Sequence, residues 1–268
     1  MFFRVLFVFF VLILVNLMAV YQDVKVNNEI VSVGTDLCSN RYDLLRPIFD
    51  EYQKPFKVLD VGAAQGFFSF SIAQDYPQSL CIMVDENTSY YGNHGDFLYD
   101  LCKLNNHLDN VIYLRKALSF CDLMQLNKEE HFDFVLAFLV VHLMSPSFKE
   151  QTQIIDELLK FGDNLIIEVA SDIGVVLSSY VEFLSTKIEC RYLGEVVRHR
   201  NSGCPRLSEG FINCPCRGKI FLFKSKIDKD SKEKEPFRGI KKETYEALNG
   251  IHPEDFSFIN GQQTTNKE

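Results

Sequence analysis

Two glycines and a small set of carboxylates occupy positions at which a nucleoside-containing ligand can bind. Gly62 and Gly66 follow a short apolar run, and glycine lets the backbone turn sharply and approach a ligand closely. Asp60, within that run, can orient loop amides or accept a hydrogen bond from a ligand amine. Asp85 lies about twenty residues beyond Gly66, after the next apolar run, where a carboxylate can accept both hydroxyls of a ribose. Glu86 is the alternative, and we prefer Asp85 because it follows the apolar run directly.

These residues belong to the first two strands of an alternating strand and helix pattern. Strands are predicted at 57–61, 80–84, 111–114, 133–138 and 165–169. Helices are predicted at 67–76, 97–105, 122–128, 148–161 and 175–186, with an earlier one at 41–52. Residues 188–197 and 219–224 indicate an antiparallel pair that closes the sheet. The predicted fold is α/β: a Rossmann-like, doubly wound, mostly parallel seven-stranded sheet with an antiparallel last strand and helices on both faces.

Residues 58–66, Val-Leu-Asp-Val-Gly-Ala-Ala-Gln-Gly, resemble the glycine motif of class I S-adenosylmethionine (SAM)-dependent methyltransferases. The family pattern is hydrophobic-hydrophobic-Asp-x-Gly-x-Gly-x-Gly, and Ala64 stands at its middle glycine. The resemblance extends over residues 40–225. It implies that SAM is the cofactor, that the loop residues bind its methionine end, and that Asp85 holds its ribose. The cofactor-binding residues so implied are Asp60, Gly62, Ala64, Gly66 and Asp85. A nicotinamide cofactor is the weaker interpretation, because its Gly-x-Gly-x-x-Gly spacing is absent here.

The same resemblance implies that the loop after the fourth strand, residues 139–146, faces the methyl acceptor. It lacks the Asn-Pro-Pro-aromatic signature of many amino-group methyltransferases. His142 is a candidate general base because histidine titrates near neutral pH, and it is equally a packing residue in an apolar segment. Glu168, at the end of the fifth strand, is a second catalytic candidate with a structural role as its alternative. Tyr90 and Tyr91 are further candidates to line the pocket.

The composition indicates one main domain with a phenylalanine-rich core. The chain of 268 residues contains 24 Phe and no Trp. Its net charge of -8 disfavours nucleic acid as a partner, because phosphate backbones attract clustered Lys and Arg. A basic stretch at 191–206 is either a solvated edge or an anion-binding surface.

The eight cysteines have no regular framework spacing, which is typical of a chain from a reducing compartment. Cys204, Cys214 and Cys216, with His199, could supply a tetrahedral zinc site. Their spacing matches no Cys-x-x-Cys pair, so no metal is predicted. A disulfide among them becomes the alternative if the domain is exported.

The amino-terminal run 5–21 is apolar apart from Asn16 and is close to the length of about 20 residues that spans a bilayer. We predict a signal anchor or transmembrane helix at 1–22 and a single-pass membrane protein. A cleaved signal peptide, giving a secreted or luminal protein, is the alternative. Arg4 before the run, against Lys25 after it, weakly places the amino terminus in the cytoplasm, whereas a cytosolic supply of SAM favours a domain that faces the cytosol.

The predicted organisation after the anchor is a linker and helix at 23–55, the SAM-binding domain at 56–225, and a charged linker and tail at 226–268. The predicted function is SAM-dependent methyl transfer to an oxygen or nitrogen of a small molecule, glycan or lipid-linked substrate. A catalytically inactive SAM-fold binding or scaffold protein at a membrane is one alternative. A protein or nucleic-acid methyltransferase is the other. No motif specifies the acceptor or an oligomeric state.

Overall fold

Strands and helices alternate along most of the chain. The computed structural model describes residues 21–86, 97–126, 130–170, 175–199 and 216–225. The strands are β1 (Val24–Val26), β2 (Glu29–Ser32), β3 (Lys57–Val61), β4 (Leu80–Asp85), β5 (Val111–Arg115), β6 (Phe132–Phe138), β7 (Gly162–Ala170), β8 (Cys190–Val197) and β9 (Arg217–Lys224). The helices are α1 (Cys38–Asp50), α2 (Phe67–Asp75), α3 (Phe97–Leu104), α4 (Phe120–Leu126), α5 (Val141–Met144), α6 (Phe148–Phe161) and α7 (Val175–Ser185).

The main sheet in the described part of the chain has seven strands in the order β5-β4-β3-β6-β7-β9-β8. Strand β3 pairs in parallel with both β4 and β6, and β9 runs antiparallel between β7 and β8. The predicted fold class is therefore confirmed. The chain moves outward from β3 through β4 to β5 and then returns to the other side of β3, so a crevice opens at the carboxyl ends of β3 and β6.

The strands of the sheet centre are apolar on both sides because helices cover both faces. In β3, Leu59 and Val61 contact one apolar cluster and Val58 contacts the other, as the two-residue repeat of a strand requires. Helices α4, α6 and α7 cover the first face, and α1 and α2 cover the second. This arrangement explains the nearly uninterrupted hydrophobic runs of the parallel strands.

Phenylalanine rings form a cluster in the core, in agreement with the composition. The ring of Phe49 in α1 stacks on Phe56 with centroids 5.4 Å apart and meets Phe134 of β6 edge-on at 5.0 Å. All three rings are almost fully buried. Each buried ring of this size stabilises the fold by about 1.5–3 kcal/mol through loss of apolar surface from water. The cluster fixes α1 against the sheet.

The segment predicted as a polar connection contains a β-hairpin. Strands β1 and β2 pair antiparallel, and Asn27 and Asn28 form the turn with φ angles of 50° and 67°. Two consecutive residues in the left-handed region are typical of the two-residue hairpin turns that asparagine favours. The Asn105 side chain fastens the hairpin to α3 by donating to Lys25 O at 2.9 Å and accepting from Asn27 N at 3.0 Å.

No helix in the described ranges is both long and apolar enough to cross a bilayer. Residues 1–20 of the predicted anchor at 1–22 lie outside the described residues, as do the predicted linker and tail at 226–268. The helix predicted at 41–52 is present as α1, which begins three residues earlier and ends two residues earlier. The short helix α5 occupies part of the predicted loop 139–146.

Candidate functional site

A cavity of about 530 Å³ opens at the carboxyl edge of the sheet. It extends across the ends of β5, β4, β3, β6 and β7 and is closed on one side by the segment that leads into α1. Its walls are formed by Tyr21, Gln22, Asp36, Arg41, Val61, Gly62, Ala64, Phe68, Val84, Asp85, Glu86, Lys116, Ala117, Leu118, Phe138, Leu139, Val140, Leu143, Met144 and Glu168. This volume lies in the range of sites for drug-sized ligands and cofactors.

The loop after β3 is built on left-handed residues. Gly62, Ala64 and Gly66 have φ angles of 72°, 53° and 73°. A Cβ at Gly62 would lie 2.4 Å from Val140 Cγ2, and one at Gly66 would lie 2.8 Å from the Met83 sulfur. Both glycines are therefore required by conformation and by space. Ala64 adopts the left-handed conformation with a Cβ, at a cost of about 1–2 kcal/mol.

Asp85 connects the end of β4 to this loop. Its Oδ2 accepts a hydrogen bond from Ala64 N at 2.9 Å, and its backbone oxygen accepts from Lys116 N at 3.0 Å. Strand β4 also binds the glycine loop through its backbone, since Gly62 N donates to Val84 O at 2.8 Å. A carboxylate has about four acceptor positions, so a hydrogen bond to the loop is compatible with further hydrogen bonds from ribose hydroxyls. Glu86 also lines the cavity and is exposed.

Asp60 lies beneath the loop and does not line the cavity. Its Oδ2 accepts from Ser69 Oγ at 2.7 Å, which links β3 to α2. Burial raises the pKa of Asp60 to about 7, Asp85 adds to the rise, and the Ser69 hydrogen bond opposes it. The structure thus brings Gly62, Ala64 and Asp85 together on the cavity wall and puts Asp60 in a supporting position. Gly66 is likewise part of the turn and not of the wall.

The end of β6 supplies an apolar wall. Phe138 contacts Phe68 with ring centroids 4.6 Å apart, and Leu139 has a φ of 54° that turns the chain into α5. His142, the predicted base, is half-buried on α5 and does not line the cavity, although Leu143 and Met144 do. Burial and the charge of Arg198 lower the pKa of His142, which keeps its imidazole neutral at pH 7.

The end of β7 supplies a charged wall. Arg41 of α1 donates from Nε to Glu168 Oε2 at 2.6 Å and from Nη2 to Glu168 Oε1 at 3.1 Å. Its Nη1 lies 2.7 Å from Asp36 Oδ2, and the side chains of all three residues are at most 4% exposed. Burial alone would lower the pKa of Arg41, but Glu168 and Asp36 outweigh it and raise that pKa well above its ordinary value. Burial raises the pKa of Glu168, and Arg41 opposes the rise.

Asp36 and Arg41 are cavity residues that the sequence reasoning missed. A signal for Arg41 was present, because it lies on the stripe of α1 that also carries Cys38 and Leu45, both fully buried. A charged residue on the apolar side of an amphipathic helix requires a buried partner. No local pattern indicates Asp36, whose position depends on the contact between Asp36 N and Tyr21 O at 2.8 Å.

The segment that precedes β1 also reaches the cavity. Gln22 N donates to Gln65 Oε1 at 2.8 Å, and Gln22 Oε1 accepts from Phe67 N at 3.3 Å. A Cβ at Gly34 would lie 2.3 Å from the Gln22 carbonyl carbon, so glycine permits the close approach of the two segments. Residues 21 and 22 are thereby fixed against the glycine loop.

Several other predicted residues lie elsewhere or outside the described ranges. Cys216 is buried, and Arg191 is exposed on β8, with its Nη1 3.7 Å from Glu51 Oε1. Arg198 belongs to the basic stretch for which a solvated edge was one interpretation, but its side chain is buried. Its charge acts on both Glu168 and His142. Within the part of the chain that the structure describes, no group of three or more His, Cys, Asp or Glu side chains could hold a metal. Tyr90, Tyr91, Arg200, Cys204, Arg206 and Cys214 lie outside the described residues.

No family model and no curated protein matches this sequence. Among solved structures, the bifunctional kinase-methyltransferase WbdD superposes with a TM-score of 0.57 at 18% identity, over 80% of this chain and 46% of that chain. A second WbdD structure, with the kinase inhibitor LY294002, gives 0.53 at 19% identity, over 70% and 41%. The N-methyltransferase NodS from Bradyrhizobium japonicum WM9, in complex with S-adenosyl-l-homocysteine, gives 0.47 at 15% identity, over 70% and 87%.

The chain spans less than half the length of the WbdD structures it matches. The sheet order, the glycine turn after β3 and the likeness to WbdD define the fold as that of the class I SAM-dependent methyltransferases. The resemblance stated from residues 58–66 is confirmed at the level of fold.

Proposed function

We propose that the chain is a SAM-dependent methyltransferase. Asp85 and the glycine turn line one half of the cavity, and this position carries the proposal. The cavity continues beyond them to the charged wall at β7. Adjacent strands are about 4.8 Å apart, so the strand ends from β5 to β7 extend over roughly 19 Å. That length accommodates a nucleoside cofactor on the β5-β4-β3 side and the reacting part of an acceptor on the β6-β7 side.

The residues on the β5-β4-β3 side fit SAM. Asp85 would accept from the ribose hydroxyls, and Leu118, which is buried, and Ala117 offer an apolar wall to the adenine. Gly62 and Ala64 would allow the methionine end to approach the backbone of the turn. When bound, SAM supplies an electrophilic methyl carbon. The protein would bind both reactants in line, exclude water with Phe68 and Phe138, and accept a proton from an O–H or N–H acceptor.

The test is SAM binding by calorimetry with full-length protein. Asp85→Asn keeps the shape of the side chain and an acceptor for Ala64 N, but removes the charge that strengthens hydrogen bonds from ribose. We expect a loss of at least about tenfold in affinity, since hydrogen bonds to charged groups contribute about 1.5–3 kcal/mol. Glu86→Gln is the matched control at the next position and should retain native affinity. An unchanged affinity in Asp85→Asn would remove the ribose assignment.

Transfer of a tritiated methyl group from SAM into extract fractions separates the proposal from its rivals. Label in lipid or small-molecule fractions supports the proposed acceptor class. Label in protein or nucleic acid favours the alternative methyltransferase, and SAM binding without any transfer favours an inactive scaffold. The net charge of -8 argues against nucleic acid.

We also propose that the cavity lies close to a bilayer surface. Tyr21 ends the apolar run 5–21 and lines the cavity, while Gln22 is bonded to the glycine turn, so the chain passes from the apolar run to the cavity wall without a linker. This arrangement favours an acceptor in or on the membrane. Protection of a carboxy-terminal tag from protease in membrane vesicles tests the topology, and a soluble, processed protein would contradict the anchor.

A further inference from the structure

The charged wall at the end of β7 has a hydrogen-bonding capacity that the protein leaves unused. Each Glu168 oxygen accepts a hydrogen bond from Arg41, so the Glu168 carboxylate positions that guanidinium. Its position is fixed from behind, because Glu168 Oε1 lies 1.8 Å from where a Cβ on Gly218 would be. Glu168 therefore holds Arg41 in place, while Arg41 and Asp36 form the part of the wall that can still bind a ligand.

Two buried polar atoms on this wall have no hydrogen-bond partner among the residues described: Asp36 Oδ1 and Arg41 Nη1. Nη1 is ion-paired with the other Asp36 oxygen at 2.7 Å, so the two unsatisfied atoms belong to neighbouring groups. A buried acceptor or donor without a partner costs about 1–3 kcal/mol. Both residues line the cavity, so a molecule bound there is a candidate source of the missing partner.

We propose that this pair of residues binds a hydroxyl group and that the acceptor of the methyl group is a hydroxyl oxygen. The inference rests on the proposed methyltransferase function and specifies its substrate class. A hydroxyl can donate to Asp36 Oδ1 and at the same time accept from Arg41 Nη1. A carboxylate cannot donate, and an ammonium group cannot accept and is repelled by Arg41. The complementary donor and acceptor of the wall thus favour a neutral group that both donates and accepts, and a hydroxyl is the simplest such group.

The position in the sheet agrees with this role. Glu168 lies near the carboxyl end of β7, a strand on the opposite side of β3 and β6 from the Asp85 strand. A hydroxyl at Asp36 and Arg41 would therefore meet a cofactor from its methionine side, with Phe68 and Phe138 forming the apolar wall of the cavity.

The transfer step balances with these groups. The hydroxyl oxygen forms a bond to the methyl carbon as the carbon–sulfur bond of the sulfonium breaks, and the hydroxyl proton passes to the Asp36 carboxylate. The products are a methyl ether, the neutral thioether S-adenosylhomocysteine, and a protonated Asp36 that later releases its proton to water. Asp36 acts as the general base, and the positive charge of Arg41 stabilises negative charge that develops on the oxygen.

The first test identifies the labelled product. Full-length protein is incubated with tritiated SAM and with soluble and membrane extracts of the source cells, and the products are separated by chemistry. We expect label in a neutral product that resists alkali, as a methyl ether does. Label retained on a cation exchanger indicates an amine, and label released by alkali as methanol indicates an ester; either result overturns the hydroxyl inference but leaves methyl transfer intact. No labelled product despite SAM binding would refute the proposed function and the inference with it.

The second test is Asp36→Asn, which preserves shape but cannot accept the proton. We expect SAM affinity close to native and a loss of transfer on the order of 10²–10⁴-fold. Because the substitution removes one charged partner of the buried Arg41, the melting temperature is measured to confirm that the variant is folded under the assay conditions. Asp23→Asn is the matched control, since Asp23 is also fully buried, accepts from Gly34 N at 2.8 Å and does not line the cavity. A tenfold or greater loss of SAM affinity in Asp36→Asn would assign Asp36 to the methionine ammonium and overturn its role as base.

Discussion

Arg41 and Glu168 are 127 positions apart in the sequence and form a buried two-bond ion pair at 2.6 and 3.1 Å. The pair links α1 to the end of β7 and so fixes the amino-terminal segment over the cavity. Gly218 of β9 makes room for it, since Glu168 occupies the space that a Cβ would need. A buried charge that loses its partner is strongly destabilising, so this contact should be sensitive to small changes.

Gly218→Ala should therefore lower the free energy of unfolding by about 3 kcal/mol or more, because the added methyl displaces Glu168 from Arg41. Gly218 does not have a positive φ, so the backbone itself tolerates alanine. Urea unfolding measures the effect. Lys219→Ala, at the next position, removes a partly exposed pair with Glu182 at 2.8 Å and should change stability by less than about 1 kcal/mol. Equal effects of the two substitutions would contradict the explanation.

Ala64→Gly should leave the fold intact and stabilise it by up to about 1 kcal/mol. The φ of 53° strains alanine but not glycine, and the gain is partly offset by the greater backbone entropy of glycine in the unfolded chain. Ala63→Gly is the matched control, because Ala63 is 1% exposed and lacks a positive φ. It should destabilise by about 0.5–1 kcal/mol. Thermal unfolding of both variants gives the comparison, and a destabilising Ala64→Gly would show that the strain is absent.

Asp60 should make the stability of the protein fall as the pH rises from about 4 to about 7. Its pKa is raised to about 7 in the folded state, so over this range the folded protein holds a proton that the unfolded chain has released. The contribution is greatest below pH 4 and is lost above pH 7, at up to about 1.4 kcal/mol per pH unit between them.

The Asp60→Asn variant has no such proton to lose, so its own free energy of unfolding should not show this fall. Its free energy of unfolding minus that of the native protein should therefore increase as the pH is raised from about 4 to about 7, measured by denaturant titrations. Ser69→Ala removes the hydrogen bond that lowers the pKa of Asp60 and should move the fall to higher pH. A stability difference between Asp60→Asn and native protein that is constant with pH would refute the raised pKa.

His142→Ala should retain methyl transfer to within about tenfold, because a general base contributes 10²–10⁴-fold and must contact the acceptor. His142 does not line the cavity, and Leu143, the next residue, does. Leu143→Ala should instead raise the acceptor KM by removing an exposed apolar side chain at the cavity. Label transfer into the active extract fraction measures both. A hundredfold loss of kcat in His142→Ala with native SAM affinity would restore His142 as the base.

Local patterns were sufficient for the elements that surround the cofactor half of the site. The strand ending at Val61, the turn glycines and Asp85 lie within about 30 residues of one another, and their order along the chain fixes their order in the sheet. The hairpin β1–β2 was missed although its alternating strands flank an Asn27-Asn28 turn, because a polar stretch was interpreted as a connection. The start of α1 was predicted at residue 41 but lies at Cys38, because the buried face of the helix begins there.

By itself the sequence determined the fold class, the glycine turn and the carboxylate of the cofactor half, because each depends on residue types at short spacing and on the rule that parallel strands present their carboxyl ends together. Only the tertiary structure decided the polar half. Asp36 lies in the segment before α1, and Arg41, Glu168 and Gly218 lie in α1, β7 and β9. Whether a charge among them is buried, paired or left with an unused hydrogen bond depends on packing between these elements that no local pattern encodes. Packing also explains why Asp60 and His142 do not line the cavity. Which side chains reach a ligand depends on how each element is oriented against its neighbours.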